Sequence, residues 1–388
     1  MERMLADALT QLDTLRGVAN QAFTSGVSTK ENIVTAANAK SDQGVTDSST
    51  WEQIVAVISG MYGPGGEIPR TKLQVTKETI NYYLGAMPGR IRGLAVDALN
   101  NVFVAMEASP PTNQIAKYSP NGTVMWQFTD LSSATEALYT EADPYSIYFG
   151  FSPGTRSLAK HNAGDGSVTW FKNDNNSAAF GLTTNGSNLY VCYYGPSGGS
   201  SSFADVSKYD FNGNRTIFQS DVGYAIGIAK GRGTSLYVIH GVDLGQKSFR
   251  RLEDTTLVET WAKTSISYPS AMTTNNLSFA IYVGNATQIL KFDSAGNLLQ
   301  TIPVGDVSCL TLDNDFNLLV GTGGGIVRKL DGTTGQEIWN AIVGAGYPVD
   351  SIVVDKNGNI EVGMRNAAIG GATLQYIRLT PTAFRILP

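Results

Sequence analysis

From residue 90 almost to the end of the chain, apolar and polar residues alternate in short runs broken by Gly, Asn, Asp and Pro. Such alternation marks half-buried strands, and the small polar clusters between runs are turn chemistry. The runs also repeat one another. One column reads Phe103-Val104, Tyr148-Phe149, Tyr190-Val191, Tyr237-Val238, Tyr282-Val283, Leu319-Val320 and Glu361-Val362. A second reads Lys117-Tyr118, Lys160-His161, Lys208-Tyr209, Arg251-Leu252, Lys291-Phe292, Lys329-Leu330 and Arg378-Leu379. A third holds Trp126, Trp170, Phe218, Trp261, Leu299, Trp339 and Phe384. Each unit is preceded by a further run such as GLAVD (93), GLTTN (181), CLTLD (309) or SIVVD (351). Four short strands repeated seven times predict an all-β fold, a seven-bladed β-propeller, in which radial repetition protects the sheet edges. KLQVTKETINYYLG (72 to 85) either begins an eighth blade or supplies a strand that closes the ring against the last blade; the second is expected. The third column should pack blade on blade. The regularity of the basic column argues for structural placement.

Residues 1 to 60 follow another period. Leu5, Ala8, Leu12, Leu15, Ala19 and Ala22 recur at helical spacing. Ser28-Thr29-Lys30-Glu31 and Ser49-Thr50-Trp51-Glu52 are capping boxes, each opening a short amphipathic helix. MYGPGGEIPRT (61 to 71) has linker composition. The expected organisation is an N-terminal helix (1–24), a small α-helical module (25–60), a linker (61–76) and the propeller (77–388).

Composition narrows the function. Charged residues are only 16% of the 388, and Gly (42), Tyr (17) and Phe (15) are plentiful, which suits strands joined by tight turns. A net charge of −5 offers no basic footprint for nucleic acid or an anionic membrane. Cys192 and Cys309 are far apart in apolar runs, and His161 and His240 are the two histidines, so no disulfide framework or multi-histidine metal site is expected. The acids near the N-terminus and the lack of an apolar core there predict no cleaved export signal, and no run is long enough for a membrane helix.

KLDGTTGQEIW (329 to 339) resembles the repeats of quinoprotein-like and NHL-type propellers. Quinoprotein enzymes need a carboxylate-held metal, a stacking floor and, typically, an adjacent cysteine pair; here Cys192 and Cys309 are far apart, and the export signal such an enzyme carries is not expected. Its Asp-Gly turn recurs as Pro120-Asn121-Gly122, Asp165-Gly166, Asn212-Gly213 and Ala295-Gly296, so it is hairpin chemistry. DKNGNIEV (355 to 362) and DNDFNLLV (313 to 320) hint at calcium loops but miss the required spacing and read as turns. GTGGG (321 to 325) follows a strand with no helix after it, so it reads as a glycine hairpin rather than a phosphate loop. His161 and His240 read as packing or surface residues, and no spacing selects a pair of acids. No cofactor, no metal and no enzymatic activity are expected.

Aromatic residues rise above this background. Gly223-Tyr224, Ser267-Tyr268 and Gly346-Tyr347 fall in crossings between blades, with Asp143-Pro144-Tyr145 as a looser fourth case. Such rings stack on sugars while their hydroxyls hydrogen-bond, although packing under the next blade or plugging the channel is the alternative. The loop YYGPSGGSSSFAD (193 to 205) adds Tyr193, Tyr194 and Phe203 on an adaptable Gly/Ser stretch.

The segment GVSTKENIVTAANAKSDQGVTDSSTWEQIVAVI (26 to 58) resembles a module in tail and tail-fibre proteins of phages that infect Gram-positive bacteria. The matching positions are Gly26, Val27, Ser28, Lys30, Ile33, Ala36, Gly44, Val45, Trp51 and Ile58. Trp51 stands where Phe is common, and Ser41-Asp42-Gln43 lengthens the Lys-Gly-Val link. The resemblance implies a structural virion protein of the tail, made in the host cytoplasm. Its helices would bind other tail or baseplate proteins and copies of itself, with a trimer expected. Its propeller would bind a host cell-wall polysaccharide. A polysaccharide-degrading propeller enzyme and a protein-binding scaffold are the alternatives.

Overall fold

Neighbouring runs pair antiparallel and in chain order, so each unit becomes a four-stranded sheet. The computed structural model describes residues 75–78, 89–108, 113–130, 135–140, 146–151, 157–172, 178–194, 206–219, 225–240, 248–263, 266–275, 279–365 and 376–381. The first strand in the chain, β1 (Val75–Glu78), belongs to the last sheet. Blade 1 holds β2 (Gly89–Val96), β3 (Val102–Ala108), β4 (Asn113–Tyr118) and β5 (Val124–Asp130). Blade 2 holds β6 (Thr135–Thr140), β7 (Ser146–Phe151), β8 (Leu158–Asn162) and β9 (Val168–Lys172). Blade 3 holds β10 (Ala178–Thr184), β11 (Leu189–Tyr194), β12 (Val206–Tyr209) and β13 (Arg215–Gln219). Blade 4 holds β14 (Ala225–Lys230), β15 (Ser235–His240), β16 (Phe249–Glu253) and β17 (Glu259–Lys263). Blade 5 holds β18 (Ala271–Asn275), β19 (Ala280–Gly284), β20 (Ile289–Phe292) and β21 (Leu298–Ile302). Blade 6 holds β22 (Val307–Leu312), β23 (Leu318–Thr322), β24 (Ile326–Leu330) and β25 (Glu337–Ile342).

Blade 7 has β26 (Val349–Val354), β27 (Ile360–Met364) and β28 (Tyr376–Pro381), and its fourth strand is β1, in register Val75↔Pro381 through Glu78↔Arg378. The fold is therefore a seven-bladed propeller closed by pairing its two chain ends. Within the 72–85 stretch it is Val75–Glu78 that closes the ring, and the described strands make seven blades. The closing strand starts at Val75, two residues inside the expected linker. Chain contacts divide the protein into Met1–Arg70 and Thr71–Pro388. The helices expected over 1–24 and 25–60 lie outside the described residues.

The core lies between blades, because the inner strands carry apolar residues on both faces. Phe103 and Ile115 of blade 1 meet Phe149 and Phe151 of blade 2, and Tyr148 and Leu158 of blade 2 meet Leu182 and Val191 of blade 3. Side-chain hydroxyls tie the inner strands together: the Leu94 amide donates to Ser351 Oγ (3.1 Å), and Ser308 Oγ donates to the Val349 carbonyl (2.5 Å). The innermost strand bulges near its start in six of the seven blades, the exception being β18. A bulge increases local twist and re-aims the strand's entry.

Candidate functional site

Each blade has two ends. Hairpins joining its first and second strands, and its third and fourth, lie at one; loops joining the second and third strands and crossings to the next blade lie at the other. Five of the described hairpins share one motif. An Asp four residues before an Asn folds over the turn: Asp355 Oδ1 accepts the amides of Asn357 and Asn359 (both 2.8 Å), and its Oδ2 accepts Asn359 Nδ2 (2.7 Å). The same clasp occurs at Asp97–Asn101, Asp210–Asn214, Asp293–Asn297 and Asp313–Asn317. These include both calcium-like sequences, whose carboxylates are taken up by turn amides. Sequence reading registered the Gly of these turns and missed the Asp-to-Asn spacing.

In blades 1, 2, 5 and 7 the basic column reaches a hairpin carbonyl of the next blade, whereas Lys329 of blade 6 pairs with Asp313 of its own blade. Lys117 Nζ and Trp126 Nε1 both donate to the Ala163 carbonyl, at 2.9 and 3.1 Å, in the third-to-fourth-strand hairpin of blade 2. Lys160 Nζ and Trp170 Nε1 do the same to Phe211 in blade 3, at 3.3 and 3.1 Å. Tyr282 Oη and Lys291 Nζ share the Gly332 carbonyl, at 2.5 and 2.8 Å. Arg378 Nη1 closes the ring on the Pro120 carbonyl (2.6 Å) while its Nε donates to the buried Glu361 (2.7 Å). Gly213 sits at φ 81 under the Trp170 ring, where a Cβ would come within 2.9 Å of the indole, so the turn needs Gly for conformation and for space. Six of the seven basic residues, all but Arg378, also precede a register slip, such as Lys160/His161. The third column is not uniform: Trp339 is buried, whereas Phe218 and Leu299 are exposed.

The buried polar residues are structural. The His161 ring lies edge-on between Phe128 and Phe149 and its Nδ1 meets the Gly166 carbonyl at 2.9 Å. His240 and Cys192 are buried, and burial pushes the Cys309 thiol up to about 12, with the nearby Asp350 charge adding to it. A thiol so raised is not a nucleophile at neutral pH. Among the described residues no group of three His, Cys, Asp or Glu stands ready to hold a metal ion.

The crossing end presents the candidate recognition surface. Tyr268, between blades 4 and 5, is 61% exposed and takes φ 45, a left-handed conformation uncommon for an aromatic residue. Its neighbours are fixed: Ile266 is buried, and Ser270 Oγ donates to the Val307 carbonyl (2.6 Å) while the Ser270 amide donates to Gly284 (2.8 Å). The ring is thus displayed on a tied-down crossing and does not pack under the next blade. Tyr347, between blades 6 and 7, is half-buried, and its amide donates to the Gly344 carbonyl (2.9 Å). GTGGG forms the adjacent hairpin tip, where the Gly325 carbonyl accepts the amides of Val343 and Gly344 (2.9 and 3.2 Å). An Asp350–Arg365 ion pair (3.2 Å) stands beside this crossing.

Of the remaining expected site residues, the structure describes the side chain of Tyr193 alone. Tyr193 lies in β11, only 2% exposed, with its hydroxyl 2.7 Å from that of Tyr209; it is core rather than loop. The strand runs on to Tyr194, whose side chain lies outside the described residues. Tyr145 falls between β6 and β7 within blade 2, so its position is not a crossing. Tyr145, Tyr224 and Phe203 lie outside the described residues.

No protein-family profile matches the chain, and no curated protein matches it in sequence. Among solved structures, it is similar to virginiamycin B lyase from Staphylococcus aureus at 13% identity and TM-score 0.64, covering 79% of this chain and 99% of that one. It is also similar to the computationally designed Ika8 protein at 16% identity and TM-score 0.54, covering 74% and 84%. Likeness at these identities is one of fold.

Proposed function

We propose that this propeller is a recognition domain that binds a host cell-wall polysaccharide through its crossing end, as part of a phage tail or a phage-derived particle. The observation that carries the reading is Tyr268, an exposed ring held in an unfavourable backbone conformation on an otherwise anchored crossing. Backbone strain kept at a solvent-facing aromatic is characteristic of binding surfaces, and an exposed Tyr ring suits the C–H face of a sugar. Tyr347 supplies a second ring two crossings further round. The tail setting rests on the resemblance of residues 26 to 58 to phage tail-protein modules; on that reading the N-terminal segment joins tail or baseplate proteins and assembles a trimer, and the propeller has no enzymatic role.

Binding of the full chain to cell-wall polysaccharides from Gram-positive bacteria tests this directly. Tyr268→Ala should weaken binding about tenfold or more, the loss of roughly 1–3 kcal/mol that removing one stacking contact entails. Failure to bind any wall polysaccharide would overturn the receptor reading. Release of oligosaccharides from the wall would replace it with a degrading enzyme.

A further inference from the structure

The junction between blades 4 and 5 differs at the hairpin end from those between blades 1 and 2, 2 and 3, and 5 and 6. Arg251 holds the place of Lys117, Lys160 and Lys291 but turns back on its own blade. Its Nε donates to Ser235 Oγ (3.0 Å) and its Nη2 lies 3.4 Å from Glu253 Oε1. Tyr237 also pairs with Ser235, whereas its counterparts Tyr190 and Tyr282 reach the carbonyls of Asp254 (2.9 Å) and Gly332 (2.5 Å) in the next blade. The Ser294 carbonyl, equivalent to those of Ala163 and Phe211, receives only Trp261 Nε1 (3.2 Å) among the described residues. The unfilled space is a cavity of about 250 Å3 walled by Arg232, Ser235, Tyr237, Arg251, Phe279 and Ser294.

Two features of its walls point to a ligand. Phe279, directly before β19, is 45% exposed at φ 57; Phe316 of blade 6 (φ 62) is a second exposed aromatic in this conformation. Asn and Gly take this conformation with least strain, so a bulky apolar residue here is an outlier. The Arg232 guanidinium lies 4.5 Å from the centre of that ring, its one partner among the described residues. Glu253 pairs with Arg251 and the Asp293 carboxylate behind Ser294 accepts the Asn297 amide, whereas no carboxylate among the described residues pairs with Arg232, whose guanidinium is left to meet an anion. A planar guanidinium recognises carboxylate or phosphate through two parallel bonds, while an aromatic face takes the apolar side of a sugar or polyol. The volume lies below the roughly 300–1,000 Å3 of pockets for drug-sized ligands, which limits the occupant to one small unit.

We propose that the blade 4/5 cavity binds a single carboxylate- or phosphate-bearing sugar or polyol unit, its acid on Arg232 and Arg251 and its carbon skeleton on Phe279. The site lies at the opposite end of the strands from Tyr268 and stands without the polysaccharide reading. The full-length chain would be titrated with glucuronate, glycerol 3-phosphate, glucose and inorganic phosphate, following the Trp and Tyr signals by NMR. Binding is expected for glucuronate or glycerol 3-phosphate and not for glucose. Arg232→Gln should weaken it at least tenfold. Phe279→Asn should abolish it while raising Tm by about 1–3 °C, because Asn relieves the left-handed strain. That rise separates a lost site from a damaged fold. If neither organic acid binds, if binding survives Arg232→Gln, or if inorganic phosphate binds as tightly as the organic acids, the proposal is overturned.

Discussion

The junctions between blades 2 and 3 and between blades 4 and 5 are made from nearly the same parts and end differently. In the first, Lys160 and Trp170 face each other across β8 and β9 and both reach the Phe211 carbonyl. In the second, Arg251 and Trp261 face each other in the same register, but only Trp261 reaches the equivalent Ser294 carbonyl. A Lys ammonium is a compact charge on a flexible stem that can bend to one acceptor. The Arg guanidinium is a wide planar fork that is better satisfied by Ser235 and Glu253 on its own blade. The conservative change closes one junction and leaves a cavity in the other. A repeat can thus vary in function without varying in fold.

Breaking a closed junction should cost most where a charge is left behind. Glu361 is buried against Arg378, which also carries the ring-closing bond to Pro120. Glu361→Ala should destabilise the protein by about 3–5 kcal/mol in urea unfolding, since it leaves a buried guanidinium uncompensated. Trp170→Ala at the blade 2/3 junction should cost about 3 kcal/mol, combining lost packing on the blade 3 turn with a lost hydrogen bond. Arg251→Met at the open junction should stay within about 1 kcal/mol, because its ion pair with Glu253 is partly solvent-exposed and lies within its own blade.

The columns that predicted the propeller were legible because strand alternation and the Lys and Trp positions recur with a fixed offset inside each unit. What they do was not legible, because the carbonyl that Lys117, Lys160 or Lys291 reaches lies in the next unit, some 40 residues on, and a register slip follows each of the three. The Asp-to-Asn clasps were visible as a spacing in the chain, at Asp210–Asn214 and Asp355–Asn359 for instance, and were overshadowed by the Gly between them. Among site residues, Tyr268 was reached through its place in a crossing. Tyr193 was misplaced because β11 runs further than its Gly/Ser-rich flank suggests, and Tyr145 because a Pro-Tyr pair within a blade resembles one between blades. Phe279 escaped notice altogether: an aromatic before an apolar run reads as the start of a strand, and only the backbone angle shows it in a turn.

A smaller effect sharpens the comparison from the side the two junctions share. Hydrogen bonds from Asn214 and Asn297 hold the Asp210 and Asp293 carboxyls below the ordinary 3.8. A carboxyl depressed in the folded state adds stability that is complete above its unfolded pKa and is lost as pH falls through the folded one. The clasps should therefore loosen only below about pH 4, and equally in blades 3 and 5. Backbone amide signals of Asn214 and Asn297, followed on acidification, should shift together, and Asp293→Asn should remove the response in blade 5 alone.

Shared capture of a turn carbonyl distinguishes the closed blade 2/3 junction from the open blade 4/5 one, and a pair of double-mutant cycles measures it. One combines Lys160→Met with Trp170→Phe, the other Arg251→Met with Trp261→Phe, each read as unfolding free energy. Both pairs are cross-strand partners in the same register, so their direct contact cancels in the comparison. At blade 2/3 either donor alone still satisfies the Phe211 carbonyl and losing both leaves it bare. Coupling of about 0.5–1.5 kcal/mol is expected there and close to zero at blade 4/5. Equal coupling at the two junctions would contradict it.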